Sequence, residues 1–326
     1  MRAPNFWWRP KPSPAAYLLL PLGVLYGMVA RTRLQRPGKA TAVPVVCVGN
    51  PVAGGAGKTP SAIEIARLLF ACGRRPVFLS RGYGGKLTGP VQVDRARHIA
   101  AEVGDEPLLL ARIAPCVVAQ DRVLGARLAE TLGDVIVMDD GFQNPSLLKD
   151  LPILVVDAAM GAGNGLCIPA GPLRAPLEAQ FARAEAMILI GEGEAGYELA
   201  RHRAFPVFRA RMVPDPVSAH LKGRRVLAFA GIGRPQKFAD TLSDIGADVV
   251  VLREFPDHHV YTAQDAVRLL ADATRDSLVL VTTEKDRARL AGPVLKELAD
   301  AVDTVPVRLV FEDPEAMAAL LTSLFA

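Results

Sequence analysis

The stretch "VPVVCVGNPVAGGAGKTP", residues 43–60, runs a β-branched strand into a glycine-rich turn that ends in Gly-Lys-Thr. A phosphate-binding loop usually reads Gly, four residues, Gly-Lys-Ser/Thr, with a strand before it and a helix after it. Counted back from Gly57, the first glycine would fall at position 52, where this chain has Val. The chemistry nevertheless points to a nucleotide site. Such a loop needs a strand to aim it, small residues so that backbone N–H groups wrap phosphate oxygens, and a helix N-terminus behind it. Val43–Val48 supplies the strand, and Gly54, Gly55, Ala56 and Gly57 supply a run with almost no side chain. From Ser61, "SAIEIARLLFACG" is apolar at helical spacing and stops at Gly73. Lys58 is then placed for the terminal phosphates of ATP and Thr59 for Mg²⁺. A plain tight turn accounts for the glycines but not for Lys-Thr at the helix start.

Length and composition agree with a nucleotide-binding α/β protein. The 326 residues are half hydrophobic and only 6% aromatic, enough for two domains with a sizeable core. Cys47, Cys72, Cys116 and Cys167 are scattered without a CxxC spacing. That pattern reads as reduced thiols rather than a zinc site.

The net charge of +4 hides an asymmetry. Residues 1–40 hold seven of the 38 basic residues and no acid, and the first acidic residue is Glu64. The body therefore carries 31 basic against 34 acidic residues and is mildly acidic. Within the basic arm, "PSPAAYLLLPLGVLYGMVA" (12–30) has no charged side chain. About 20 apolar residues are needed to span a bilayer, so this segment is borderline, with Pro21 in its middle. Arg2 to Lys11 resembles the charged start of a signal peptide, but no clean small-x-small cleavage site follows, since "MVARTRLQRP" turns basic at once. A buried soluble helix is the plainer reading. Trp7, Trp8, Tyr17 and Tyr26, with arginines outside them, fit an interfacial or shallowly inserted anchor better, and the basic flanks suit an anionic cytoplasmic leaflet.

Further along, strands alternate with helices. "RPVFLSRGYGG" (75–85) reads as a strand ending in a glycine turn with Arg81 and Tyr83. "GDEPLLLARIA" (104–114) opens a helix with acids, "CVVA" (116–119) is a short strand, and "QDRVLGARLAETLG" a helix with Arg122 in its first turn. "DVIVMDDGFQNP" (134–145) is an apolar strand ending in Asp139 and Asp140, the place where a P-loop fold holds Mg²⁺. "LPILVVDA" and "AEAMILIG" add two strands, and apolar runs of this kind imply a mostly parallel sheet covered on both faces. A smaller α/β unit begins near 223. "AGIGRP" in it lacks the third glycine of a dinucleotide fingerprint and reads as a plain strand-to-helix turn. "FPVFRARMVPDP" and "VPVRLVF" read as extended segments bridging or returning between the units. The expected division is a basic and apolar anchor (1–36), a P-loop domain (37–212) and a smaller α/β domain (213–326), with the active site in the cleft.

Taken in order, "VGNPVAGGAGKTP", "LSRGYGG", "GDEP", "QDR", "DDGFQ", "PAGPLR", "AGIGRPQKF", "FPDHHVY" and "TTEKD" span residues 48–286 and closely resemble the tetraacyldisaccharide 4′-kinase family, the lipid A 4′-kinases of Gram-negative bacteria. Val in place of the first loop glycine is part of that family's pattern. Asn144 follows Gln143 where many relatives have His. The resemblance implies transfer of the ATP γ-phosphate to the 4′-hydroxyl of a tetraacyl glucosamine disaccharide 1-phosphate, at the cytoplasmic face of the inner membrane, with no nucleic-acid partner. It implies that Lys58 and Thr59 hold phosphate and Mg²⁺ with Asp139 and Asp140, and that Asp105, paired with His258, accepts the hydroxyl proton. Arg122 and Gln143 are expected at the nucleotide, and Arg122 and Arg174 at the transferring phosphate or the lipid's 1-phosphate. Arg81 and Tyr83 are weaker candidates for the cleft. The rival from another class is a membrane-associated nucleotide switch or delivery ATPase. Guanine recognition would need Asn/Thr-Lys-x-Asp, and "TTEKD" sets Lys285 directly beside Asp286. A soluble sugar or nucleoside kinase, a third reading, leaves the basic apolar arm unexplained.

Overall fold

Val45–Gly49 forms the expected strand, every residue buried, and Lys58–Ala71 the expected helix. That helix buries Ala62, Ile65, Ala66 and Leu69, the i, i+3, i+4, i+7 stripe read from the sequence. Burying Ile65 and Leu69 fully contributes about 1.5–3 kcal/mol each. The helix stops where Gly73 takes φ +76°, a left-handed turn that glycine adopts without steric cost. The structure is a computed structural model describing residues 3–55, 57–201 and 203–325. Ala56, expected in the phosphate loop, lies outside the described residues.

In chain order the strands are β1 Val45–Gly49, β2 Pro76–Ser80, β3 Val91–Gln92, β4 Cys116–Val118, β5 Val135–Asp139, β6 Leu151–Asp157, β7 Ala186–Ile190, β8 Val207–Pro214, β9 Arg225–Ala230, β10 Asp248–Glu254, β11 Val279–Thr283, β12 Asp303–Val305 and β13 Val307–Phe311. Nine of them form one sheet in the order β13-β8-β7-β6-β1-β5-β2-β4-β3. Its strands from β8 to β4 are parallel, and the two edges, β13 and β3, are antiparallel. β1 lies between β5 and β6, so the chain reverses its direction of travel across the sheet there. Open α/β sheets bind ligands at such a point, beyond the carboxyl ends of the strands. The second sheet, β10-β9-β11-β12, is wholly parallel and carries its own two apolar clusters.

The division of the chain differs from expectation at the C-terminal end. The smaller unit was expected to run over 213–326, but β13 and the helix Pro314–Thr322 complete the larger sheet. Leu309, Phe311, Met317 and Leu321 are buried in the same cluster as Ile65 and Leu69. These apolar side chains need cover and find it on the helix that follows the phosphate loop.

The N-terminal arm is a 21-residue helix, Pro14–Leu34, capped by the Ser13 hydroxyl accepting from Ala16 N–H at 3.3 Å. One narrow stripe of it, Ala16, Gly23, Gly27 and Leu34, is buried, while Tyr17, Leu18, Leu22, Leu25 and Val29 face outward. Glycine on that stripe lets the helix lie close against the 167–176 loop. A Cβ on Gly23 would come within 2.9 Å of the Cys167 carbonyl oxygen, and one on Gly27 within 3.2 Å of Cys167 Sγ. Trp7 fixes the preceding turn by donating from Nε1 to the Pro169 carbonyl at 2.9 Å. Gly23→Val is therefore expected to cost about 1–3 kcal/mol by overpacking, while Leu22→Val on the outward face costs little. Denaturant unfolding of the two variants checks this, and equal stability would mean that the helix does not seat at Gly23.

Candidate active site

The phosphate loop is built by its own backbone. Gly54 and Gly57 take φ +115° and +83°, and Asn50 Nδ2 holds the turn by donating to the Gly54 carbonyl at 2.9 Å. A Cβ added at Gly54 or Gly55 would meet nothing within 4 Å, so this stretch of loop faces open space. Lys58 starts the helix and donates from Nζ to the same Gly54 carbonyl at 3.2 Å, with Asp140 Oδ2 3.8 Å away. Burial, with Arg174 adding to it, lowers the Lys58 pKa against the pull of Asp140 and Asp139.

β1 and β5 are neighbours with Val48 opposite Asp139, which brings the end of β5 beneath the loop. Thr59 Oγ1 donates to Asp139 Oδ2 at 3.0 Å, and Asp139 Oδ1 is buried without a hydrogen-bond partner. Burial pushes the Asp139 carboxyl up to about 7, with Glu106 and Asp140 adding to the rise. An orphaned buried carboxylate oxygen beside a threonine hydroxyl is a donor set that fits a hard divalent cation.

Asp140 follows with φ +55°. Its carboxylate receives Arg174 through two bonds, Nη1 to Oδ1 at 2.5 Å and Nη2 to Oδ2 at 3.2 Å. Burial works against ionisation of Asp140, but Lys58 and Arg174 outweigh it and lower its pKa. Gln143, expected to meet the nucleotide, is committed elsewhere. Its Nε2 donates to Asn50 O and to Gln180 Oε1, each at 2.9 Å, and its Oε1 lies 3.4 Å from Arg174 Nη1. It braces the loop from behind. Asn144 makes a local turn, its Oδ1 accepting from Ser146 N–H at 2.8 Å. Arg122 is buried at the start of its helix, with Nη1 on the Ala119 carbonyl and Nε unpartnered. Burial, with Arg81 adding to it, lowers its pKa to about 10.

Asp105 and His258, which the resemblance pairs, come from different units. They are already adjacent, with His258 Nδ1 3.5 Å from Asp105 Oδ1. Asp105 opens the short helix Asp105–Leu110 in the larger unit and is buried. His258 follows β10 in the smaller unit with φ +57°, its N–H bonded to the Gly231 carbonyl at 3.0 Å. The Tyr83 ring meets the imidazole edge-on at 5.0 Å between centroids. Its neighbour His259 stacks on Phe255 and reaches Asp265 at 3.1 Å, so the two histidines have separate partners. Burial alone would raise the Asp105 pKa, but the His258 contact, Arg289 and Lys285 reverse it and hold the carboxyl well below the usual range. The same contact raises the His258 pKa against its own burial.

Sequence reasoning missed the contacts between the units. Asp157, at the end of β6, takes Arg234 at 2.8 Å and also Lys237. "GRPQK" is thus more than a turn. Glu284 receives Arg112 and Lys285 reaches Glu106, each at 2.7 Å, so "TTEKD" joins the two units. Four alternating charges after β11, Glu284 to Arg287, were the available signal, but the cross-unit partners of Glu284 and Lys285 lie 172 and 179 positions away in the chain.

A glycine loop between a buried parallel strand and a helix, with Lys-Thr at the helix start and an acidic neighbouring strand end, defines a P-loop nucleotide-binding α/β protein. The family model for tetraacyldisaccharide-1-P 4′-kinase (LpxK) matches residues 15–326. Among similar chains, the tetraacyldisaccharide 4′-kinase of Methylobacterium sp. (strain 4-46) is 55% identical over 97% of this chain and 95% of its own length. That of Bradyrhizobium diazoefficiens is 51% identical over 99% and 96%. The crystal structure of LpxK from Aquifex aeolicus in complex with ATP superposes with a TM-score of 0.76 at 29% identity, covering 95% of this chain and 99% of that one. The chain belongs to the tetraacyldisaccharide 4′-kinase family.

Proposed function

We propose that this protein transfers the γ-phosphate of ATP to the 4′-hydroxyl of a tetraacyl glucosamine disaccharide 1-phosphate in lipid A biosynthesis. The observation that carries the reading is a phosphate loop with its acidic strand end, together with a buried Asp105 of the larger unit paired to a half-buried His258 of the smaller one, while Glu106, next to Asp105, acts electrostatically on Lys58 and Asp139. Lys58 and the loop N–H groups bind the β- and γ-phosphates. Asp139 and Thr59, with Asp140 beside them, would hold Mg²⁺, which supplies charge neutralisation at the transferring phosphoryl group. Asp105 accepts the hydroxyl proton as the sugar oxygen bonds to the γ-phosphorus and the bond to the β-phosphate bridging oxygen breaks, releasing ADP. His258 orients Asp105. Arg174, held on Asp140, and Arg122, with its unpartnered Nε, are assigned in this reading to phosphate oxygens. Incubating the purified protein with ATP, Mg²⁺ and the disaccharide 1-phosphate lipid should yield a bisphosphorylated product. Lipid-independent nucleotide hydrolysis without that product would sink the reading.

The acceptor is a membrane lipid, and the arm suits delivery from a bilayer. A helix of 21 residues is about 30 Å long, yet this one lies docked on the body from Ala16 to Leu34. We infer that its outward apolar face lies in the interface, with Arg31, Arg33 and Arg36 at the level of anionic headgroups on the cytoplasmic face. Leu18→Asp, Leu22→Asp and Leu25→Asp combined are expected to move the protein from the membrane pellet to the supernatant, as is removal of residues 1–36. A triple variant that still pellets with vesicles would place the anchor elsewhere.

A further inference from the structure

The helix Glu284–Arg289 ends on an arginine that has no part in the reading above. Thr283 caps this helix, its Oγ1 accepting from Asp286 N–H at 3.1 Å and donating to Asp286 Oδ2 at 2.7 Å. Asp286 is fully buried. Its Oδ1 accepts from Tyr261 OH at 2.9 Å, Gly231 N–H at 3.0 Å and Arg289 Nη1 at 2.9 Å. Arg289 Nη1 also donates to the Gly231 carbonyl at 2.7 Å. The guanidinium is thus fixed from behind, in the smaller unit. Its other edge crosses to the larger unit, where Nε at 3.1 Å and Nη2 both donate to Asp105 Oδ2. Nη2 is also 3.4 Å from His258 Nδ1.

These bonds divide the two oxygens of Asp105. Oδ2 is taken twice by Arg289, and Oδ1 is left toward His258. We propose that Arg289 is a positioning residue that anchors Asp105 by Oδ2 and so presents Oδ1 to the acceptor hydroxyl. The proposal rests on Asp105 as the proton acceptor. A planar guanidinium can hold Asp105 and Asp286 at once along two edges, which a lysine ammonium cannot do with the same geometry. Charge adds to position. Asp105 is acted on by the cations Arg289, Lys285 and His258, of which Lys285 is paired with Glu106, Arg289 with Asp286, and His258 has Asp257 at 3.9 Å. Removing Arg289 takes away the cation in direct contact, so the acidic limb of turnover moves to higher pH.

The test uses the full-length protein with Mg-ATP and the disaccharide lipid. Arg289→Met is expected to lower kcat about 10²-fold, the size of a misplacement near 1 Å. The acidic limb should rise by about one pH unit or more, with KM for ATP unchanged. Because that variant leaves two buried carboxylates without their cation, Arg289→Lys is measured beside it, with thermal unfolding of both. The lysine variant keeps the charge and the limb but recovers only part of kcat. If Arg289→Lys has wild-type kcat, or if Arg289→Met loses activity only as it loses folded protein and the limb stays in place, the positioning role is overturned. Asp105→Asn separates the two ideas. Wild-type turnover in Asp105→Asn removes the proton acceptor itself, whereas an inactive Asp105→Asn beside fully active Arg289 variants removes only the role of Arg289.

Discussion

Changing Lys58 to alanine is expected to lower phosphoryl transfer by about 10³-fold, the upper range for removing one charge-stabilising donor from a transferring group. Lys58 is the loop's only cationic side chain, and it sits at the helix start with Asp140 3.8 Å away. Arg174 is tied to Asp140 by both terminal nitrogens and does not sit at the helix start, so it is not a substitute for Lys58. The variant leaves Asp140 with one cation instead of two, so some loss of stability accompanies the loss of rate. Single-turnover transfer of labelled γ-phosphate, at a protein concentration above KM for ATP, separates the two effects. Turnover within tenfold of wild type would remove the phosphate loop from the mechanism.

Asp105→Ala carries the second large effect, a fall of about 10²–10⁴-fold in turnover, the range for a general acid–base group. ATP affinity should change little, since the phosphate loop and Asp139 are untouched. His258→Ala should cost as much or less, because imidazole at 3.5 Å acts through the carboxylate. Residues that act as one unit lose less together than the product of their separate losses. The double variant is therefore expected to resemble Asp105→Ala. Losses that multiply, or weakened ATP binding in Asp105→Ala, would separate the pair.

The contrast between what the sequence discloses and what it hides has a physical origin. The strand, loop and helix over 45–71 are encoded locally: buried β-branched residues, glycines at positive φ, and an apolar stripe at helical period lie within 27 positions. Asp139 was legible for the same reason, as an acid that no apolar strand would end on without a partner. Gln143 was not, since its bonds run to Asn50, Arg174 and Gln180, and no periodicity marks which polar group a glutamine will brace. Arg289 was invisible because its partner Asp105 precedes it by 184 positions. The C-terminal strand was read as a bridging or returning segment, yet its placement on the larger sheet depends on apolar cover supplied by Ile65 and Leu69, which no local pattern records.

That last strand sets the order in which the molecule can be completed during synthesis. β8 ends at Pro214, and its partner β13 begins only at Val307, with Asp215 N–H and the Pro306 carbonyl bonded at 2.8 Å where the chain leaves and returns. At about 5–20 residues per second, the nascent sheet waits roughly 5–20 s with one edge of β8 unpaired. During that time the cluster around Ile65 also lacks Met317 and Leu321. An open strand edge beside uncovered apolar surface invites pairing with another chain. Products of early termination within residues 215–306 should therefore aggregate rather than persist as a free P-loop domain.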